Sequence, residues 1–464
     1  MKRATPFDTI AAVSTPPGEG GIGIVRLSGD MAFDIVQRVF TAHRKSPGEE
    51  VKSFSMRLGC IKDAGKMIDE VLVSYMKSPH TYTREDVVEI NCHGGAIAVN
   101  EVLRLVLRMG ARLAEPGEFT KRAFINGRID LAQAEAVLDI VRSRTSKALD
   151  AALNQLNGEL SRRIDSLMGD MKSLLMKLEA NIDFAEEEDI VSLKAQEIRA
   201  QLDPVRQRLE ELIRTYDTGK IIKEGVLTVL VGKPNVGKSS ILNSFVKYDR
   251  AIVTPIPGTT RDVIEEELNI NGIPFILADT AGIVESEDVI EREGVKRSLS
   301  FMERAQLVLL VLDGSSNFDE KDLALIEKIK PHTYIPIVNK TDLPLELDIH
   351  RLVAETGMVE ELLYLSARTG EGLQQLENRL FELVGGGKSS GDHSILVTSA
   401  RHFSLLRKAL EELDHALETL EEGGEQELIA YDVRSVMDLL GEITGEVSPA
   451  NILDEIFNNF CIGK

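Results

Sequence analysis

The sequence predicts a multidomain fold, α/β plus all-α, and three observations predict it. Residues 1 to about 118 mix strand-like runs with a helical stretch. From Asp130 an apolar stripe of helical period runs for about 50 residues. Residues 225 to about 385 return to apolar strands punctuated by glycine. The length, 464 residues, suits about three domains of roughly 150 residues each.

Within the first region, IGIVRLSG (22–29), DEVLVSYMKSP (69–79) and DVVEIN (86–91) read as strands. Residues 94–109 read as a helix, and PPGEGG (16–21) as a chain turn. This is a small N-terminal α/β domain over 1–118. In the second region Leu131, Ala134, Leu138, Val141, Thr145, Leu149, Ala152, Leu156, Leu160, Ile164, Leu167, Met171, Leu174 and Leu178 share one face. That spacing predicts one very long helix, or a near-continuous helical pair, on the order of 75 Å long. Such a stripe needs helical partners, from 195–216, from 399–464 or from another subunit. Helical spacing returns at 400–420 and 425–442, and again after Ser448 and Pro449, which suit a cap and a first turn. The economical arrangement is a domain at 221–385 inserted into a helical domain whose parts are 119–220 and 386–464.

Composition narrows the partners. Hydrophobic residues make up 43% and charged residues 28%, as in ordinary globular chains. The net charge of −21 excludes a whole-chain basic footprint for nucleic acid, so RNA contact requires a local patch or a partner. Cys60, Cys92 and Cys461 form no CxxC pair and no zinc pattern, which suits a reducing, cytoplasmic compartment. The N-terminus lacks the apolar core of a signal peptide, and no apolar run is long enough to suggest a membrane span.

The inserted domain carries the chemistry. GKPNVGKS (232–239) follows an apolar strand and opens a helix, the context a phosphate-binding P-loop requires. Its backbone N–H groups, with Asn235, Val236, Gly237, Lys238, Ser239 and Ser240, are assigned to the phosphates. Lys238 reaches the β- and γ-phosphates, and the Ser239 hydroxyl ligates Mg²⁺. GTTRD (258–262) follows, with Thr259 and Thr260; Thr260 supplies the second hydroxyl to Mg²⁺. DTAG (279–282) ends a strand, placing Asp279 toward Mg²⁺ through water and Gly282 toward the γ-phosphate. NKTD (339–342) ends another: the Asp342 carboxylate accepts from guanine N1–H and N2–H₂, with Asn339 and Lys340 shaping the pocket. Ser366, Ala367 and Arg368 offer backbone N–H groups to guanine O6. Five motifs in this order predict a Ras-like P-loop G domain that binds Mg·GTP and hydrolyses it.

Many small GTPases place a water-orienting Gln after DTAG; here that position is Ile283, which has no polar group to orient water. Glu291, in the acidic run 285–293, is the candidate for ordering the water, beside the plainer reading of a solvated acidic face. Asn235 reads as a loop-stabilising residue or as a cation ligand. Resemblance to cation-dependent GTPases implies the second, with K⁺ held by Asn235, Thr254, Ile256 and Thr259 and supplying the positive charge an arginine finger gives elsewhere. Thr254 joins the nucleotide contacts on the same ground.

The whole chain resembles the MnmE (TrmE) family of tRNA-modification GTPases. FCIGK (460–464) is the most diagnostic segment, with 8–29, EDVVEINCHGG (85–95), 116–137 and GEITGEV (441–447). The resemblance implies an N-terminal folate-binding-like domain through which two copies form a homodimer. It implies a flavin-containing partner, MnmG (GidA), which carries FAD, and joint modification of C5 of the wobble uridine of certain tRNAs. A tetrahydrofolate derivative, 5-formyl or methylene, supplies the one-carbon unit. Two G domains close around GTP and K⁺, and the helices carry that closure to the folate site. Folate contacts fall on Arg26, Glu89, Arg128 and Lys464, and the catalytic glutamate on Glu291. The family often has lysine where Arg128 stands, so charge is kept while hydrogen-bond geometry changes. Read from the residues alone, Arg26 at a strand end and Glu89 in a strand are equally ordinary surface charges. Cys461 reads either as a nucleophile or as a buried structural thiol. The alternative function is a regulatory GTPase switch that recruits an RNA or ribosomal partner.

Overall fold

Alternation of apolar and polar residues builds the first sheet. In the computed structural model, residues 8–44, 51–183, 193–248, 265–279, 301–356, 362–385, 395–447 and 450–464 are described. The strands are β1 (Ile10–Val13), β2 (Gly20–Ser28), β3 (Phe40–Ala42), β4 (Ser55–Asp63), β5 (Lys66–Met76), β6 (Val87–Gly94) and β7 (Arg112–Leu113). They lie in the order β3-β4-β5-β6-β2-β1-β7. All pairs are antiparallel except β1 with β7. Helices Ala32–Val39 and Ala96–Arg108 bury their apolar faces with Val25, Leu27, Val71, Val73, Val88 and Ile90. The alternate residues of these strands, Arg26, Glu89, Leu72 and Leu58 among them, are left half-buried or exposed. The expected strands at 22–29, 69–79 and 86–91 form as β2, β5 and β6, and the expected helix at 94–109 spans Ala96–Arg108.

The long apolar stripe does not form one helix. It is divided into Leu131–Arg142, Ser146–Leu156 and Glu159–Asp183. At the first break the Ser143 hydroxyl donates to the Asp139 carbonyl at 2.7 Å, and the Thr145 hydroxyl accepts the Ala148 amide at 3.2 Å. Short polar side chains here compete with the helix ladder and cap the next segment. At the second, Gly158 adopts φ +79°, a left-handed conformation that ends the helix. Periodicity alone cannot see either break, because both leave the register of the stripe nearly intact. The helix Glu159–Asp183 buries Leu160, Ile164, Leu167, Met171, Leu174 and Leu178 and packs against Gln426–Thr444. Its partner therefore comes from the C-terminal segment of the same chain. The helices expected at 400–420 and 425–442 form as Ala400–Glu421 and Gln426–Thr444, and a last helix spans Ala450–Asn458. Ser448 and Pro449 lie outside the described residues.

The chain divides into two compact units. One comprises Met1–Leu138, Gln155–Leu202 and Glu411–Lys464; the other Asp139–Asn154 and Asp203–Leu410. The second unit holds the other sheet: β8 (Val226–Val231), β9 (Glu265–Ile270), β10 (Ile273–Asp279), β11 (Leu307–Asp313), β12 (Tyr334–Asn339) and β13 (Leu363–Tyr364). Their order is β13-β12-β11-β8-β10-β9, parallel except for β9. Both faces are covered, as parallel sheets require. Ile241, Leu242 and Phe245 of Lys238–Tyr248 and Leu376 and Leu380 of Leu373–Leu383 pack with Leu230, Leu277 and Leu309. Leu325, Ile326 and Ile329 of Glu320–Ile329 and Leu352 of Ile349–Thr356 pack with Val229, Val231 and Leu310. This places β8 at the centre of the sheet, with the 232–239 loop at its carboxyl end. That is where ligands of open α/β sheets bind. Among the described residues no helix is long and apolar enough to cross a membrane.

Candidate functional site

The phosphate loop is held by its own backbone and by one asparagine. Asn235 sits at φ +65° and Gly237 at φ +100°. These two left-handed residues turn the chain tightly between β8 and the helix Lys238–Tyr248. The buried Lys238 ammonium donates to the Gly232 carbonyl at 2.9 Å and the Lys233 carbonyl at 3.0 Å, so it is folded over the loop. A helix N-terminus and a lysine thus meet at one loop, a combination that suits phosphate oxygens. Lys233, at the start of the loop, is pinned by Asp322 at 2.7 Å and Asp319 at 3.1 Å.

Asn339, at the end of β12, ties this loop to the base pocket. Its Nδ2 donates to the Val236 carbonyl at 2.8 Å and its Oδ1 accepts the Ala367 amide at 3.0 Å. Ser366 donates its hydroxyl to Asp342 Oδ1 at 2.7 Å, and the Arg368 guanidinium stands 3.7 Å from Asp342 Oδ2. The Asp342 carboxylate is thereby oriented while keeping acceptor capacity for an amidine edge such as that of guanine. Lys340, at φ +68°, donates to Asp313 Oδ2 at 2.6 Å. Burial raises the Asp313 carboxyl, but Lys340 and Ser315 outweigh it and hold the group below the usual carboxylate range. Asp313 was not among the residues singled out from sequence; its position at the end of β11, beside β12, was the available signal.

The structure brings together Asn235, Val236, Gly237, Lys238, Ser239, Ser240, Asn339, Lys340, Asp342, Ser366, Ala367 and Arg368 at the carboxyl ends of β8, β12 and β13. Asp279 ends β10, next to β8. Thr254, Ile256, Thr259, Thr260, Gly282, Ile283 and Glu291 lie outside the described residues, as does the side chain of Asp279.

A second constellation forms in the other unit. Arg26 lies inside β2, not at a strand end, directly opposite Glu89 on β6. Its Nε donates to Glu89 Oε1 at 2.8 Å, and Nη1 donates to the Gly463 carbonyl at 3.4 Å. Its guanidinium lies 6.0 Å from the Tyr82 ring centre and 5.8 Å from that of Phe119. The Arg128 guanidinium lies 4.8 Å from the same Tyr82 ring. The C-terminal tail is seated here by an antiparallel bridge between Pro116 and Ile462. Gly463, at φ +98°, is obligatory: a Cβ would stand 2.3 Å from the Val13 carbonyl oxygen. Lys464 donates its amide to the Cys461 carbonyl at 3.3 Å. Cys461 itself is exposed, so it is not a buried structural thiol. Two cations, a carboxylate and two aromatic rings around a backbone tail suit a flat, polar heteroaromatic ligand. Tyr82 and Phe119 escaped sequence reasoning because each is a lone aromatic in a polar stretch, and only the fold brings both rings to Arg26. The dyad of Asp69 and His93 escaped it too: the Asp69 carboxylate accepts both the amide and Nδ1 of His93, at 2.8 and 2.6 Å.

Comparison with known proteins gives the family of the chain. A family model described as "MnmE helical domain" matches residues 131–461, and one described as "GTP-binding protein TrmE N-terminus" matches residues 9–128. The tRNA modification GTPase MnmE of Alkaliphilus metalliredigens is 47% identical over 459 residues, covering 98% of this chain and 99% of the relative. That of Geobacillus kaustophilus is 47% identical over 462 residues, covering 99% and 100%. Among solved structures, Era of Aquifex aeolicus bound to GDP·AlF4⁻ is 26% identical, covering 40% of this chain and 66% of that one, with a TM-score of 0.30. Near-full-length identity of this size, with both family models matched, means that the chain belongs to the MnmE family of tRNA modification GTPases and is a GTP hydrolase.

Proposed function

We propose that this GTPase works as a homodimer stimulated by K⁺ and, with a flavin-containing MnmG (GidA) partner that carries FAD, modifies C5 of the wobble uridine of certain tRNAs. The group installed is carboxymethylaminomethyl or aminomethyl, its carbon drawn from a tetrahydrofolate derivative. The observation that carries the reading is the cluster of Arg26, Glu89, Arg128, Tyr82 and the C-terminal tail, residues drawn from opposite ends of the chain. Glu89 would accept from a pterin's amino edge, and Arg26, Arg128 and Lys464 would offer positive charge. A bound folate would supply the one-carbon unit.

In the G domain, Lys238 and the loop N–H groups bind and orient the phosphates, and Asp342 selects guanine. Ser239 and Thr260 would hold Mg²⁺, which neutralises charge on the phosphate oxygens. Asn235, Thr254, Ile256 and Thr259 would hold K⁺, and Glu291 would order the attacking water. Dimer formation is supported by the outer face of the N-terminal sheet, where Leu58 stands opposite Leu72 and both are exposed, beside exposed Met56.

Calorimetric titration with 5-formyl-tetrahydrofolate tests the reading. Saturable binding to the native dimer should be lost, by at least about ten-fold in affinity, in Arg26→Ala and Glu89→Ala, because each removes one partner of a charge-assisted pair. No binding to well-folded native protein would refute the folate assignment and favour a regulatory GTPase switch.

A further inference from the structure

Outside both constellations, three strands of the N-terminal sheet bring a histidine, a cysteine and a glutamate together. Cys60 on β4 stands opposite Thr41 of β3 on one side and Glu70 of β5 on the other. His43 continues the β3 ladder, donating its amide to the Leu58 carbonyl at 3.1 Å. Being two residues beyond Thr41, it returns its side chain to the same face as Cys60 and Glu70. His43 Nε2 lies 2.5 Å from Glu70 Oε1, and the donor atoms of all three residues fall within 4.8 Å of one another.

We propose that His43, Cys60 and Glu70 form a binding site for a divalent transition-metal cation of the Zn²⁺ class, with a fourth position open to water. The donor set is imidazole nitrogen, thiolate sulfur and carboxylate oxygen, the three ligand types Zn²⁺ takes. Tetrahedral Zn²⁺ bonds of about 2.0–2.3 Å put ligand atoms roughly 3.3–3.6 Å apart. The present spacing needs only a small opening of the His43–Glu70 contact, and both of those side chains are about half exposed. Cys60 is 8% exposed, so its sulfur forms the floor of the site while the other two ligands close over it. The apolar Leu58 and Leu72 lie one step along the same face. On binding, the thiol proton leaves to solvent as the metal–sulfur bond forms. The metal would also clamp the short strand β3 to β4 and β5.

The test is titration of the full-length chain, reduced and nucleotide-free, with Co²⁺. A near-ultraviolet sulfur-to-cobalt charge-transfer band should saturate at one ion per chain and be displaced by Zn²⁺. Oxygen ligands of the nucleotide site give no such band. It should vanish in Cys60→Ser, weaken at least ten-fold in apparent affinity in His43→Ala and Glu70→Ala, and persist in Cys461→Ser. The His43→Ala and Glu70→Ala variants alter exposed side chains, so they decide the matter should Cys60→Ser fold poorly. No band in the native protein, or full affinity in both of those variants, would overturn the site.

Discussion

A single carboxylate can discriminate purines only if it is held still and left with lone pairs to offer. Asp342 meets both conditions: Ser366 fixes Oδ1 and the guanidinium of exposed Arg368 stands 3.7 Å from Oδ2. Asp342→Asn replaces an acceptor by a donor facing guanine N1–H. GTP affinity should fall by roughly two orders of magnitude, since charge-assisted hydrogen bonds contribute about 1.5–3 kcal/mol each. Xanthosine triphosphate should bind in its place; competition against a fluorescent guanine nucleotide reads both, and unchanged selectivity would contradict the assignment. Cysteines show how environment sorts one residue type. Burial, then the Asp69 charge, pushes the Cys92 thiol up to about 12, so it stays protonated at neutral pH. Cys461 is exposed, and Cys60 owes its interest to His43 and Glu70.

At the scale of the element, the strand-loop-helix unit from β8 to Tyr248 depends on one glycine for two reasons. Gly237 sits at φ +100°, and a Cβ there would stand 2.2 Å from Asn339 Nδ2. Gly237→Ala therefore adds backbone strain of about 1–3 kcal/mol. It also displaces the side chain that joins Val236 to Ala367. The expected result is a folded chain, unchanged in far-ultraviolet circular dichroism, with nucleotide affinity at least about 100-fold weaker. Native affinity in that variant would show that the loop has more freedom than its contacts imply. The divided stripe from Leu131 to Leu178 carries the same lesson. Hydrophobic spacing picks out the buried face of Glu159–Asp183 but leaves Val141 and Leu149 exposed, and Ser143, Thr145 and Gly158 decide where the helices stop.

At the scale of the whole molecule, the N-terminal unit is knitted by charge. Arg122, almost wholly buried, donates to Asp8, Glu85 and Glu118, and Arg112 binds Asp8 and Glu118. Burial raises the Glu118 carboxyl, but hydrogen bonds from Arg112, the Glu115 amide and Arg122 prevail and hold it below its ordinary value of 4.5. A carboxyl depressed in the folded state stabilises fully above the unfolded value and loses that stabilisation as pH falls through the folded one. Stability of this unit, read by urea unfolding, should thus hold down to about pH 4.5 and decline below it. Glu118→Gln should flatten that decline and cost about 1.5–3 kcal/mol at neutral pH, because it removes one of the charged partners of buried Arg122 while Asp8 and Glu85 remain. An acid profile identical to the native one would rule out this network as its cause.

What the sequence determined by itself was the nucleotide chemistry. The described motifs, 232–239, 339–342 and 366–368, are each a few contiguous residues at or just after the end of a strand. Covalent continuity then sets most of the geometry: a strand, a left-handed turn and a helix bring backbone N–H groups to one point wherever such a segment folds. Even so, the bond from Asn339 to Val236 and Ala367, and the pinning of Lys340 by Asp313, belong to the assembled sheet. The other constellations were decided by tertiary structure. Arg26, Glu89, Arg128 and Lys464 were named through family resemblance; that Arg26 meets both Glu89 and the C-terminal tail depends on strand register and on a glycine seated against Val13. His43, Cys60 and Glu70 match no spacing pattern and meet because three strands pair in one register. Register is set by which face of the sheet is buried, a sum over many distant side chains, and no local run of residues contains that sum.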